Sequence, residues 1–169
     1  SAVTGHGYDR LSGTSMACPN MAGAIALMRQ YVITNFQSQI KNENGVIDYV
    51  EVNAIVNRLL MSTADIVYNK NGLPYSVRKQ GAGLANITDI LTTDAYILTY
   101  SRQDGSVLAK SKIELGDDPL KTGIYTLKFS IQNFGSSAVS YNMGSYKAPN
   151  KNENYQVVTS FDDLKAVFL

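Results

Sequence analysis

A helix-rich first half followed by a β-rich second half is the architecture this sequence predicts, and three observations carry it. Apolar residues recur at helical spacing between residues 16 and 62. Beyond about residue 95 the pattern changes to short β-prone segments divided by Gly105, Gly116, Gly123 and Gly135. The chain has 11 Tyr and no Trp, a usage that suits β-rich surfaces better than a helical bundle.

Residues 1–12 are short and polar, with Gly5 and Gly7 marking turns, and read as a loop or short strand. A first helix follows over residues 16–33. Met21, Ala22, Ile25, Ala26, Met28 and Val32 are apolar on several faces, so burial on most sides is expected. Residues 34–47 are polar and hold the turn signal Asn44-Gly45. A second helix is expected over residues 48–62, with Asp48 as cap and Glu51 three residues on, close to a capping box. Val52, Ile55, Val56, Leu59 and Leu60 give it one core-facing side. Residues 69–83 read as loop, and a last short helix is expected at about 86–94. Strands are expected at Tyr96–Tyr100, Val107–Leu115, Ile124–Gln132 and Val139–Met143; Tyr125–Gln132 alternates with period two. Asn150–Asn154 reads as a solvated loop.

Composition excludes several classes. Lys+Arg at 15 against Asp+Glu at 14 give a net charge of +1, which points to neither nucleic acid nor an anionic membrane as partner. The longest apolar runs are far short of a transmembrane span. A single cysteine, Cys18, excludes an internal disulfide framework. At 169 residues, 44% of them apolar, the chain can hold one ordinary domain or two small ones. It opens inside a motif-bearing region with no signal peptide, so a piece of a longer protein is expected, with Ser1-Ala2 as an expression scar.

The chemistry concentrates in residues 13–23, GTSMACPNMAG. Gly13 permits a sharp turn. Pro19, four residues after Ser15, lacks the N–H that would bond the Ser15 carbonyl, which places Ser15 at or near a helix start. There the unpaired amides of the first turn stand ready for an oxyanion.

At these residues the chain resembles the subtilases, the subtilisin-like serine proteases, whose nucleophile motif is G-T-S-M-A-x-P followed by a small A-G pair. Gly13, Thr14, Ser15, Met16, Ala17, Pro19, Ala22 and Gly23 match. Asn20 departs, standing where many subtilases carry His; several cell-envelope members vary there. Met61–Ala64 resembles the helix end after the nucleophile helix. Gln80–Asn86 (QGAGLAN) resembles the family's G-A-G-L-V-N segment. The later residues, LGD…YTLKFSIQNFGSSAVSYNM, are similar to the fibronectin type III-like domain of cell-envelope subtilases such as the lactocepins. The resemblance implies an α/β C-terminal portion of a subtilase catalytic domain over 1–95. An all-β fibronectin type III-like sandwich, truncated at Leu169, is then expected over 96–169.

It further implies that Ser15 is the nucleophile and a backbone oxyanion donor, with Thr14 as secondary support of the oxyanion site. The family order is Asp, His, Ser, with the His well upstream. His6, nine residues before Ser15, and Asp9 are therefore read as surface-loop residues, and the triad His and Asp are expected outside this chain. Cys18 reads as a small core residue. Asn86-Ile87-Thr88 fits a glycosylation pattern that the bacterial source implied by the family leaves idle. Asp117-Asp118 and Asp162-Asp163 lack the spaced oxygen ligands of a calcium loop. The implied function is a serine endopeptidase, secreted or attached to a bacterial cell wall, acting on protein or peptide substrates. No organic cofactor is implied. Structural calcium is frequent in the family, with no ligands assigned here. The implied partner is the missing N-terminal part of the catalytic domain, and the isolated chain is expected to be inactive. The competing expectation is a non-catalytic scaffold or binding module of a cell-surface protein.

Overall fold

The computed structural model describes residues 1–75, 77–113, 119–120 and 127–141. The expected Asn150–Asn154 loop, both acidic pairs, and the start of the Ile124–Gln132 strand lie outside them. Two compact units divide between Val56 and Asn57, inside a helix.

The first unit opens with a small antiparallel hairpin, β1 (Ala2–Val3) and β2 (Gly7–Tyr8), in which Ala2 faces Tyr8 and Val3 faces Gly7. Its tip is Thr4-Gly5-His6, with φ of +90° at Gly5 and +63° at His6. The Ser1 amino group donates to the Asp9 carbonyl at 2.8 Å and closes the open end. The long helix α1 runs Thr14–Asn35. Only Ala24, Met28 and Val32 on it are buried, one stripe at four-residue spacing. Ala22, Gly23, Ala26 and Leu27 lie exposed, Leu27 at 61%. The expected burial on most sides is thus corrected. The apolar periphery is present in sequence, but no described element covers it.

Phe36 and Ile40, just past α1, are fully enclosed and extend the core into a stretch that reads as a polar loop. Helix α2 runs Tyr49–Ser62. Asp48 caps it as expected: its Oδ1 accepts from the amides of Val50 (2.8 Å) and Glu51 (3.3 Å). Val52, Ile55, Val56 and Leu59 are buried, with Ala54 between them, while Leu60 is half-buried. Within the first unit, the Arg29 guanidinium donates to Asn53 Oδ1 and lies 5.8 Å from the Tyr49 ring centroid, tying α1 to the start of α2.

In the second unit, α3 (Val77–Gln80) is a single helical turn inside the expected 69–83 loop. Gln80 explains it. Its Oε1 accepts from the Val67 amide at 2.7 Å and its Nε2 donates to the Tyr75 carbonyl, so one side chain closes the loop on itself. Helix α4 (Ile87–Thr92) is capped by Asn86, whose Oδ1 accepts from the Asp89 amide at 3.1 Å. Strand β3 (Ala95–Thr99) pairs antiparallel with β4 (Phe129–Asn133), Ile97 opposite Ile131.

The outward edge of β3 is occupied by hydroxyls and by one neighbouring segment. Thr93 Oγ1 bonds both the amide and the carbonyl of Ala95. The Ile97 amide donates to Ser62 Oγ at 2.9 Å, and Ser111 Oγ donates to the Ile97 carbonyl at 2.6 Å. The Leu108 amide reaches the Thr99 carbonyl at 2.8 Å. Residues 107–113 form one bridge, Val107 with Tyr100, rather than the expected strand. Residues 139–141, the described part of the last expected strand, are also outside any strand.

Candidate active site

Ser15 stands in the first turn of α1. Gly13, just before it, has φ of +147°, a conformation that L side chains rarely adopt. A Cβ at Gly13 would meet nothing within 4 Å, so glycine is needed for the turn itself rather than for room. The Gly13 carbonyl accepts from the amides of Met16 (3.0 Å) and Ala17 (3.1 Å), which starts the helix. The amides of Thr14 and Ser15 have no acceptor among the described residues, as the first turn of a helix requires. The Ser15 hydroxyl and both these amides therefore share one solvent-exposed helix end.

Pro19 lies inside α1 and leaves the Ser15 carbonyl without its helical donor. One residue on, Asn20 Nδ2 donates to the Met16 carbonyl at 3.1 Å. Asn20 thus braces the turn that carries Ser15. The sequence alone marks Asn20 only as a departure from the motif; its short amide side chain beside Pro19 is the available signal.

The remaining sequence candidates are not assembled with Ser15. His6 sits exposed at the tip of the β1–β2 hairpin. The Asp9 carboxylate accepts from the neighbouring Arg10 amide at 2.7 Å. Ser15 Oγ has no hydrogen-bond partner among the described residues. Cys18 corrects its expected place in the core: it is exposed, because burial on α1 begins at Ala24. Among the described residues no cluster of three His, Cys, Asp or Glu is placed to hold a metal. In the second unit a groove of about 520 Å³ is lined by α4, β3 and β4 residues including Thr92, Tyr96, Ile97 and Ile131. Elsewhere, the exposed Asp104 carboxyl is held down to about 2 by hydrogen bonds from the Ser106 amide, the Ser106 hydroxyl and the Ser101 hydroxyl.

Beyond the Ser15 turn, the Gln80–Asn86 segment also has a built geometry. Asp65 and Leu84 exchange backbone bonds of 2.9 and 2.8 Å. Gly83 takes φ of +135°, and a Cβ there would fall 2.2 Å from the Asp65 carbonyl oxygen. Asn86 Nδ2 donates to Asp65 Oδ2 at 3.0 Å.

The model of the Subtilase family matches residues 1–83, from the hairpin through Gly83. Over these residues, just under half of its length, the chain is similar to the subtilase family. Curated relatives point the same way. The minor extracellular protease Vpr of Bacillus subtilis is 26% identical over 139 residues, 78% of this chain. The PII-type proteinase of Lacticaseibacillus paracasei is 29% identical over 155 residues, 86% of this chain. The C5a peptidase of Streptococcus pyogenes is 30% identical over 98 residues, 57% of this chain. The chain spans only 15%, 7% and 8% of the lengths of these three relatives, respectively. The Vpr and PII-type similarities run past the end of the family match, into the residues beyond 83. Among the described residues no helix is long and apolar enough to cross a membrane.

Proposed function

We propose that this chain carries the nucleophile of a secreted or cell-wall-attached bacterial serine endopeptidase of the lactocepin-like type. The supporting observation is Ser15 itself. It lies in a subtilase segment, behind a left-handed glycine, on a helix end whose first amides are open. Ser15 Oγ attacks the scissile carbonyl of a protein or peptide substrate. A histidine from outside these residues takes the proton, oriented by an aspartate also outside them. The Ser15 amide donates to the oxyanion, an asparagine outside the chain donates beside it, and Thr14 gives secondary support. This chemistry needs no organic cofactor. That neither His6 nor Asp9 hydrogen-bonds Ser15 among the described residues argues for an external acid–base pair, so the isolated chain is inactive. The exposed apolar side of α1, with Ala22, Ala26 and Leu27, is where the rest of the catalytic domain docks. In this reading residues 1–95 are the C-terminal portion of that domain and residues 96–169 begin a fibronectin type III-like domain. The relatives' names, one of them an extracellular protease, support the location.

A fluorophosphonate probe tests the assignment. The full-length parent is expected to label at Ser15, and Ser15→Ala to lower kcat by at least about 10⁴-fold. The isolated chain is expected to stay unlabelled. Undiminished turnover in the Ser15→Ala parent overturns the proposal, and an unlabelled, inactive parent leaves a scaffold module in its place.

A further inference from the structure

Two turns in this chain are built alike. Residues 42–46 read Asn-Glu-Asn-Gly-Val and residues 69–73 read Asn-Lys-Asn-Gly-Leu. In each, the first asparagine's amide donates to the carbonyl four residues on, Asn42 to Val46 at 2.9 Å and Asn69 to Leu73 at 2.8 Å. The glycine amide donates back to the first asparagine's carbonyl, Gly45 to Asn42 at 2.8 Å and Gly72 to Asn69 at 3.0 Å. Both glycines have φ of +74°. The first asparagine's Oδ1 also accepts two amides. Asn42 takes those of Asn44 and Val46, both at 3.0 Å; Asn69 takes those of Asn71 at 2.8 Å and Leu73 at 3.1 Å. This is a type I turn closed by a left-handed glycine, with an Asx bracket added.

Asn44 and Asn71 are the chain's only asparagines followed directly by glycine. Glycine has no Cβ to hinder attack by its own nitrogen on the preceding side chain. We propose that Asn44 and Asn71 are the chain's sites of spontaneous deamidation, and that the Asx-bracketed turns hold them latent until they open. In the reaction the glycine nitrogen gives up its proton and its electron pair forms a bond to the asparagine Cγ. The Cγ–Nδ2 bond breaks, and the side-chain nitrogen leaves as ammonia, carrying that proton. Water then opens the five-membered imide to aspartate or isoaspartate, with no change of oxidation state. In the closed turn this nitrogen is committed to the Asn42 or Asn69 carbonyl, and the amides on either side of it are pinned to Oδ1. The nitrogen reaches Cγ only when the turn lets go, so the modification records local opening rather than time alone.

Peptide mapping by mass spectrometry tests this on the full chain, held at mildly alkaline pH with and without guanidinium. Deamidation is expected at Asn44 and Asn71 ahead of every other asparagine, and about tenfold slower or more in the native state than in denaturant. Asn42→Ala removes two hydrogen bonds from the bracket, so Asn44 conversion is expected to rise about tenfold while Asn71 keeps its rate. Asn69→Ala is expected to do the reverse. Asn42→Asp keeps the acceptor and is expected to keep the slow rate. Equal rates in native and denatured chain, or unchanged Asn44 conversion in Asn42→Ala, overturn the clamp. Faster conversion at an asparagine not followed by glycine overturns the site assignment.

Discussion

Gly83 shows how much a single residue settles in this chain. Its φ of +135°, and the 2.2 Å that would separate an added Cβ from the Asp65 carbonyl oxygen, leave no rotamer to relieve a clash. Gly83→Ala must therefore break the Asp65–Leu84 exchange and release the Asn86 contact with Asp65. A loss of about 3 kcal/mol is expected from strain and lost pairing together, measured by denaturant titration against wild type. A loss below about 1 kcal/mol would mean that the segment shifts freely. Gly13 makes the contrasting case. It has open space where a side chain would go, so its requirement is conformational alone. Both positions are legible as motif glycines. Their different physical demands are not, because a sequence records neither φ nor the nearest atom.

At the level of elements, legibility follows local chemistry. The α2 start at Tyr49 is readable because Asp48 and Glu51 encode a cap within four consecutive residues. Asp48→Ala is expected to cost about 1 kcal/mol and to fray the first turn of α2, seen as faster amide exchange at Val50 and Glu51. Protection unchanged at both amides would show that the cap is dispensable. The α4 start is readable to within a residue of its Asn86 cap. What escapes is long-range. The α3 turn depends on Gln80 reaching Val67, thirteen positions away. The enclosed Phe36 and Ile40 sit in a polar stretch whose composition conceals them. The opposite error concerns α1, where apolar composition suggests burial and only one stripe is covered. Periodicity reports which faces are able to be buried; only the neighbours decide which are.

For the whole molecule, the turn that carries Ser15 is readable in full, since a long local motif encodes it, whereas no histidine or aspartate is hydrogen-bonded to Ser15 among the described residues. The exposed small and aliphatic residues of α1 set a second expectation. Each large aliphatic left in water forgoes about 1.5–3 kcal/mol of burial, against a typical domain stability of about 5–15 kcal/mol. The isolated chain is expected to self-associate in sedimentation, or to show weak amide protection over α1. A monodisperse monomer strongly protected from Ala17 to Val32 would show that this helix needs no partner.

The hydroxyls along β3 carry one more consequence. Ala95 and Ile97 have both backbone groups engaged by Thr93, Ser62 and Ser111, and the Thr99 carbonyl is engaged by Leu108. A strand arriving from that side finds the ladder groups from Ala95 to the Thr99 carbonyl already taken. Among the described residues the β3–β4 pair therefore has an asymmetric rim: from Ala95 to the Thr99 carbonyl the β3 margin is occupied, so a further strand is expected to add beyond β4 rather than there.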